Sequence, residues 1–172
     1  MTRHPATVRL ALASQAGAIA QLQLNSYKSQ PSVAYWAAHL DLDEMTQAWI
    51  QAINRPPLAT FRVLVALDED GKVVGFSAIG PSDDPDAAPT DALVAEFCVA
   101  KLGAGHEDRL LNAVIDTLRA DGFERATWWL LTTDDLLRAW LEETGWLADG
   151  AHRSLGSEDE AVIRQIRLHT SI

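Results

Sequence analysis

The order of apolar runs and turns between residues 92 and 146 constrains the fold of this chain more than any other feature. The pattern predicts a strand over Ala92–Ala100, a glycine-bearing turn over Lys101–His106 and an amphipathic helix from Glu107 to about Ala120. A second apolar strand over Ala126–Leu131 and a segment over Leu137–Trp146 close the unit. A glycine turn between a strand and a helix leaves backbone N–H groups free at a positive helix end, which suits a phosphate. Binding of a nucleotide-like cofactor is therefore the first function to test.

Shorter elements are predicted on both sides of this unit. In chain order they are a strand over Thr7–Leu12, a helix that begins after Ser14 and ends at Pro31, a second helical region that reaches Asn54, a hairpin of Phe61–Ala66 and Val73–Ile79, a loop over Gly80–Thr90 and a closing hairpin of His152–Leu155 and Ala161–Leu168 around Gly156–Asp159. The order βααβββαβαββ predicts one α/β domain over residues 1–172, with a mixed sheet and helices on both faces.

Composition excludes several classes of function. No apolar run approaches the roughly 20 residues of a membrane helix, and the net charge of −10 argues against binding to nucleic acid, whose affinity depends on phosphate neutralisation. The same charge mildly favours a cationic substrate such as an amine, although it also serves solubility. A single cysteine, Cys98, fits a reducing cytoplasm. The histidines lack the spacing of metal ligands, so we predict no metal site.

Several local patterns, in this order, resemble the GCN5-related N-acetyltransferase (GNAT) family. Leu64–Ala66 followed by Asp70–Phe76 resembles the family's central hairpin, and Phe97–Val99 resembles the end of its fourth strand. Leu110–Leu111 falls where the helix after the cofactor loop carries paired apolar residues. Trp140–Trp146 is similar to the family's aromatic–Tyr–Glu-x-x-Gly–aromatic segment. The resemblance extends over nearly the whole chain.

The resemblance implies a GNAT-like α/β (α+β) fold with a mixed, mostly antiparallel central sheet. It implies acetyl-CoA, or another acyl-CoA, as co-substrate, held where the fourth and fifth strands splay apart between Glu96–Ala100 and Trp128–Leu131. It also implies direct acyl transfer to a primary amine of a small molecule or a protein, and it suggests a homodimer. The residues that it assigns to the cofactor are Phe97, Cys98, Val99, Lys101, Gly103, Ala104, Gly105 and His106.

The turn after the fourth strand departs from the family's pattern, Gln/Arg-x-x-Gly-x-Gly/Ala. Counted back from the paired leucines, Leu102 stands at the Gln/Arg position, Gly105 at the first Gly and Glu107 at the last Gly/Ala. Glu107 and Asp108 complement the helix dipole, and the same charges repel a pyrophosphate. These departures favour an alternative function, a non-catalytic GNAT-fold module that binds a ligand or a partner protein. A third interpretation is non-standard CoA binding through Lys101 and the glycines of the turn.

Glu96 is the best candidate for a general base. It is a carboxylate in an apolar strand, where burial raises its pKa toward the useful range, although an ion-paired Glu without chemistry is equally compatible with the pattern. Leu141 occupies the position where the family often has a tyrosine that acts as general acid. Tyr27 and Tyr35 are the only tyrosines, and we predict Tyr35 as the second catalytic residue. Cys98 is interpreted as a small core residue rather than a nucleophile.

Overall fold

The computed structural model describes residues 5–156 and 161–172. Within those ranges it contains seven strands and five α-helices. They are β1 (Thr7–Leu10), α1 (Ala16–Ser29, preceded by a 3₁₀ turn at Ala13–Gln15), α2 (Pro31–Ala37), α3 (Leu42–Asn54), β2 (Arg62–Leu67), β3 (Val73–Pro81), β4 (Asp91–Val99), α4 (His106–Ala120), β5 (Arg125–Leu131), α5 (Asp135–Glu143), β6 (Leu147–Leu155) and β7 (Ile163–Ser171).

All seven strands form one sheet in the order β1-β2-β3-β4-β5-β7-β6. Only β4 and β5 run parallel, since α4 carries the chain from one end of the sheet back to the other between them. Every other neighbouring pair is antiparallel. The expected fold class, a mixed and mostly antiparallel sheet with helices on both faces, is confirmed.

The predicted second helical region is two helices, α2 and α3. Pro31 ends the first predicted helix and begins α2, where its fixed φ and missing N–H are tolerated. The chain leaves the helical conformation before Asp41, whose side chain then accepts a hydrogen bond from the Glu44 N–H at 2.9 Å. This cap starts α3 as a separate element.

Two apolar cores lie on opposite faces of the sheet. One packs α4 and α5 against the sheet through residues such as Leu110, Val114, Leu141 and Trp128. The other packs α1 and α3 against the strands around Phe76. The alternation of side chains along each strand sends successive residues to the two faces, and β2, β3 and β4 contribute residues to both cores.

The closing hairpin is longer than the sequence indicates. Its strands β6 and β7 extend to Leu147 and Ser171, because β7 pairs along its length with β5 as well as β6. The centre of the predicted turn, at residues 157–159, lies outside the described residues. In the described ranges, each helix is too short or too polar to cross a lipid bilayer.

Candidate functional site

The functional cleft begins where β4 and β5 part. Their parallel pairing covers only Asp91–Val94 and Arg125–Trp128, whereas β4 continues beside β3 as far as Val99. A register shift against β3 at Ala78 and Ile79 leaves Ala95 as an extra residue in β4, and such a bulge bends the strand and re-aims the side chains that follow it. The splay expected between the fourth and fifth strands is therefore present, beyond Val94.

Two adjoining cavities occupy this splay. The strand-side cavity, of about 440 Å³, is lined by residues that include Tyr27, Glu96, Trp129 and Arg153. The loop-side cavity, of about 400 Å³, extends toward the turn after β4 and includes Lys101 in its wall. Six residues line both cavities, so they form one continuous cleft; these are Ser26, Gln30, Phe97, Cys98, Asp134 and Leu137.

Glu96 lies at the junction between β4 and helix α1. The Tyr27 hydroxyl donates a hydrogen bond to Glu96 Oε1 at 2.5 Å. Burial raises the pKa of the Glu96 carboxyl, because the charged form loses hydration, and the Tyr27 hydrogen bond partly offsets that rise. The carboxylate predicted as the base therefore stands in the cleft with its proton affinity shifted in the useful direction.

Tyr27 is itself held by a chain of side-chain hydrogen bonds. The Trp49 indole N–H donates to Gln23 Oε1 at 2.9 Å, and Gln23 Nε2 donates to the Tyr27 oxygen at 3.0 Å. Burial and the neighbouring Glu96 charge raise the pKa of the Tyr27 phenol, so it keeps its proton at neutral pH. This network fixes Tyr27 as a donor toward Glu96. Its only signal in the sequence is a tyrosine in a predicted helix.

Tyr35 lies elsewhere. Its side chain, on α2, is 51% exposed and contacts the rings of Trp36 and His39. Tyr35 does not line the strand-side cavity, whereas its neighbour Trp36 does. The structure thus brings Glu96 together with Tyr27 and not with Tyr35. Leu141, at the family's tyrosine position, belongs to α5, and its side chain is fully buried in the core.

Three of the residues that we predicted to bind the cofactor, Phe97, Cys98 and Val99, form the β4 wall of the loop-side cavity. Phe97 packs against Trp128, with ring centroids 4.9 Å apart. Burial, together with the Glu96 charge, raises the pKa of the Cys98 thiol to about 12. A thiol with that pKa is protonated at neutral pH, which argues against Cys98 as a nucleophile.

The predicted anion-binding turn follows β4 directly. Lys101 lines the loop-side cavity, and the rest of the predicted set, Gly103, Ala104, Gly105 and His106, continues the turn into α4. Gly103 and Gly105 have φ of +81° and +80°, a left-handed conformation that favours glycine. Gly105 is the N-cap residue of α4, so the turn delivers its backbone to the positive end of that helix.

Glu107 folds back onto this turn. Its Oε1 accepts a hydrogen bond from the Gly103 N–H at 2.5 Å, and the side chain is buried. Its Oε2 is also buried and has no hydrogen-bond partner among the described residues. Asp108, the next residue, points elsewhere and accepts a hydrogen bond from the Trp140 indole at 3.0 Å. At least one amide of the turn is therefore already bonded to a carboxylate of the chain.

The acidic loop over residues 80–90 is held against the sheet by Arg167. This guanidinium is buried and donates to Asp84, Asp86 and Asp149 at 2.6 to 3.1 Å. The Arg167 hydrogen bonds lower the pKa of Asp86 to about 2. Two of the loop's aspartates are thus ion-paired with one arginine of the sheet, with the Asp84 side chain buried and that of Asp86 largely exposed. The sequence signal for this contact is an arginine within the apolar alternation of the last strand.

The loop in turn supports one wall of the strand-side cavity. Asp84 accepts hydrogen bonds from the Trp129 indole N–H at 3.0 and 3.1 Å. The Arg153 guanidinium lies 4.3 Å from the centre of the Trp129 ring, a cation–π distance. Trp128 and Trp129 therefore point to opposite faces of β5, as adjacent strand residues do. Trp128 is buried in the core and also borders the strand-side cavity, whereas Trp129 lines that cavity from outside the core.

Comparison with solved structures identifies the fold. The chain matches an N-acetyltransferase from Staphylococcus aureus Mu50 with a TM-score of 0.77 at 17% identity, over 98% of this chain and 99% of that one. It matches a ribosomal-protein-alanine N-acetyltransferase from Brucella melitensis with a TM-score of 0.75 at 18% identity, over 96% and 99%. It also matches a GNAT superfamily phosphinothricin acetyltransferase from Sinorhizobium meliloti, solved with acetyl-CoA, with a TM-score of 0.75 at 19% identity, over 100% and 89%.

No family model and no curated protein sequence matches the chain. The likeness is therefore one of three-dimensional structure, and it shows that the chain has the GNAT fold. The fold implied by the sequence resemblance is confirmed.

Proposed function

We propose that this chain is an N-acyltransferase that moves an acetyl or other acyl group from acyl-CoA to a primary amine. The observation that carries the proposal is the position of Glu96, a carboxylate of raised pKa inside the splay between two parallel strands. A carboxylate there can take a proton from an amine that attacks a thioester in the same cleft. The GNAT fold supports the same conclusion, because its solved members named above are acetyltransferases.

Glu96 carries the proton transfer, and Tyr27 positions it. An amine must lose a proton to form an amide, and the ionised Glu96 carboxylate accepts it. The C–N bond forms as the thioester C–S bond breaks, and the proton then passes to the departing thiolate, which leaves as the free thiol. The Tyr27 hydroxyl, donating to Oε1 at 2.5 Å, holds the carboxylate in place and stabilises its charged form. Tyr27 is thus a positioning residue for Glu96, and we propose it in place of Tyr35.

The β4 wall of the cleft fits the pantetheine arm of an acyl-CoA. When bound, acyl-CoA supplies the acyl group as a reactive thioester. Along Phe97–Val99 the pairing of β4 with β5 has ended, and the exposed edge of a strand pairs readily with the amides of a ligand. The apolar side chains of Phe97 and Leu137 line the same space. Phe97, Cys98, Val99 and Lys101 would therefore hold the arm.

The acceptor enters, in this proposal, through the strand-side cavity. Glu96, Trp129, Arg153 and Gln165 face that space, and its volume of about 440 Å³ lies in the usual range for small-molecule sites. A small amine or a single amine-bearing residue of a protein fits a cavity of this size. The residues that line the cavity thus support an amine as the acceptor, but they do not select between a small molecule and a protein.

The decisive experiment pairs binding with turnover. Calorimetric titration with CoA tests the donor site, and release of free thiol from acetyl-CoA in the presence of a panel of primary amines tests transfer. We expect CoA to bind and thiol release to depend on one class of amine. The reaction without amine is the control for simple thioester hydrolysis.

Absence of CoA binding would overturn the proposal. It would favour instead the alternative of a non-catalytic GNAT-fold module, which the bond between Glu107 and the Gly103 amide also supports. Binding of CoA without transfer to any amine of the panel would likewise argue for a ligand-binding module. Free thiol released at the same rate with and without amine would contradict acyl transfer to nitrogen.

A further inference from the structure

The first turn of α4 contains an anion of the protein itself at the place where a helix binds an external one. Glu107 Oε1 accepts from the Gly103 N–H at 2.5 Å. The side chain is 4% exposed, and its Oε2 lacks a hydrogen-bond partner within the described residues. A carboxylate that is buried with one oxygen unsatisfied is costly, and the free backbone amides of a helix N-terminus are the group that best offsets such a charge.

A phosphate bound at this turn would compete with Glu107 directly. An amide N–H donates one strong hydrogen bond, and the Gly103 N–H already donates its bond to the carboxylate. A phosphate at the neighbouring amides would also lie within a few ångströms of a like charge. At about 4 Å, this repulsion weakens binding by about fivefold if the effective dielectric constant is that of water. It weakens binding by about a thousandfold if the constant is that of a protein surface.

Two cations lie near this turn, Arg109 and Lys101, and neither stands at the position that the family fills with Gln or Arg. The Arg109 guanidinium, one turn into α4, donates through Nη2 to His106 Nδ1. The position that the family fills with Gln or Arg is Leu102, whose side chain is 39% exposed. Lys101 lines the loop-side cavity as the one lysine among the residues of this turn. The strand edge along Phe97–Val99 is thus free to bind a pantetheine arm. At the turn that would bind the phosphates, the Glu107 carboxylate already takes one amide.

Resting on the proposed function, we infer that Glu107 is a specificity-determining residue that makes the protein select its acyl donor by the pantetheine arm and gain little from the nucleotide diphosphate. Phe97–Val99 would supply the affinity, and Glu107 would remove most of the advantage that a helix N-terminus gives to a pyrophosphate. The donor class that fits is any acyl-pantetheine thioester, with acyl-CoA as one member.

The test compares CoA with pantetheine, which lacks the nucleotide and its phosphates. Calorimetric titrations of both compounds are made with the wild-type protein, with Glu107→Ala, and with Asp108→Asn. Asp108→Asn is the matched control, because it removes one negative charge from the same helical turn without touching the Gly103 amide. Glu107→Gln serves as a second variant, since it removes the charge and keeps the shape.

We expect the wild-type protein to bind CoA no more than about tenfold more tightly than pantetheine. Glu107→Ala should tighten CoA binding by about tenfold or more and leave pantetheine binding unchanged. Asp108→Asn should change either affinity by less than about threefold, because its exposed charge is screened by solvent.

Two results would overturn the inference while leaving the proposed function intact. One is strong preference of the wild-type protein for CoA over pantetheine, of about a hundredfold or more. The other is an unchanged CoA affinity in both Glu107→Ala and Glu107→Gln, provided that cooperative thermal unfolding shows both variants to be folded. Failure of every form of the protein to bind either compound would instead overturn the proposed function itself, and the inference with it.

Discussion

Two glutamates lie close to the β4 wall of the cleft, and their partners give them different roles. Glu96 is partly buried in the lining of the cleft, and Glu107 is buried in the turn that follows β4. Glu96 accepts from a phenol whose own proton is held by burial. Glu107 accepts from a backbone amide at the positive end of α4. The phenol leaves Glu96 able to gain and lose a proton, whereas Glu107 is tied to the backbone at the positive end of α4. The hydrogen-bond donor, and not burial alone, therefore distinguishes the two carboxylates.

The largest expected effect is a difference in kcat/KM between variants of the two glutamates. Glu96→Gln cannot accept the amine proton, so kcat/KM should fall by about 10²- to 10⁴-fold, with the calorimetric affinity for CoA unchanged. Glu107→Gln should not lower kcat/KM, because Glu107 takes no part in proton transfer. Steady-state rates with the same amine test both variants. Comparable losses in the two variants would break the distinction between their roles.

A smaller effect should appear in the pH profile of Tyr27→Phe. The Tyr27 hydrogen bond stabilises the charged form of Glu96, and its removal raises the Glu96 pKa further. A general base works only above its pKa, so the acid limb of kcat/KM should move to higher pH by about one to two units, the value of a hydrogen bond to a charged group.

Tyr35→Phe is the matched control for this prediction, because it removes the other tyrosine hydroxyl from an exposed site outside the cavity. Its pH profile should coincide with that of the wild-type protein. A shift in Tyr35→Phe and none in Tyr27→Phe would restore Tyr35 as the residue that acts with the base.

The third effect concerns stability at the helix end. Glu107→Ala removes a charge that complements the α4 dipole and frees the Gly103 N–H, so the free energy of unfolding should fall by about 1 to 2 kcal/mol. Urea unfolding at neutral pH measures the change, with Asp108→Asn beside it as the control. A more stable Glu107→Ala variant would show that the unsatisfied Oε2 outweighs the helix-end interaction.

The smallest effect should have the opposite sign. Because burial raises the pKa of Glu96 above its ordinary value of 4.5, the folded state binds this proton more tightly than the unfolded state does, and Glu96 costs stability as pH rises above 4.5. Glu96→Gln should therefore be slightly more stable than the wild-type protein at pH 7, and the difference should vanish in acid. Urea unfolding at both pH values tests this, and a Glu96→Gln variant less stable at pH 7 would contradict it.

Sequence patterns by themselves determined most of the architecture. Alternating and periodic apolar residues placed the first five strands and the helix His106–Ala120 within a residue or two, because burial of one face is a local property of each element. The same locality marked Glu96 as an unusual carboxylate in an apolar strand. Only the separation of α2 from α3 and the length of the closing strands went beyond what the patterns indicated.

The tertiary structure alone decided which side chains act together. Tyr27 and Glu96 are separated by 69 residues in sequence, and Arg167 by 81 or more from the aspartates of the acidic loop. Such pairings depend on the relative positions of elements packed from distant parts of the chain, and no local pattern encodes them. For that reason the sequence could not select Tyr27 over Tyr35. It placed Glu107 in the right turn, but only the folded chain revealed that the carboxylate bonds the Gly103 amide.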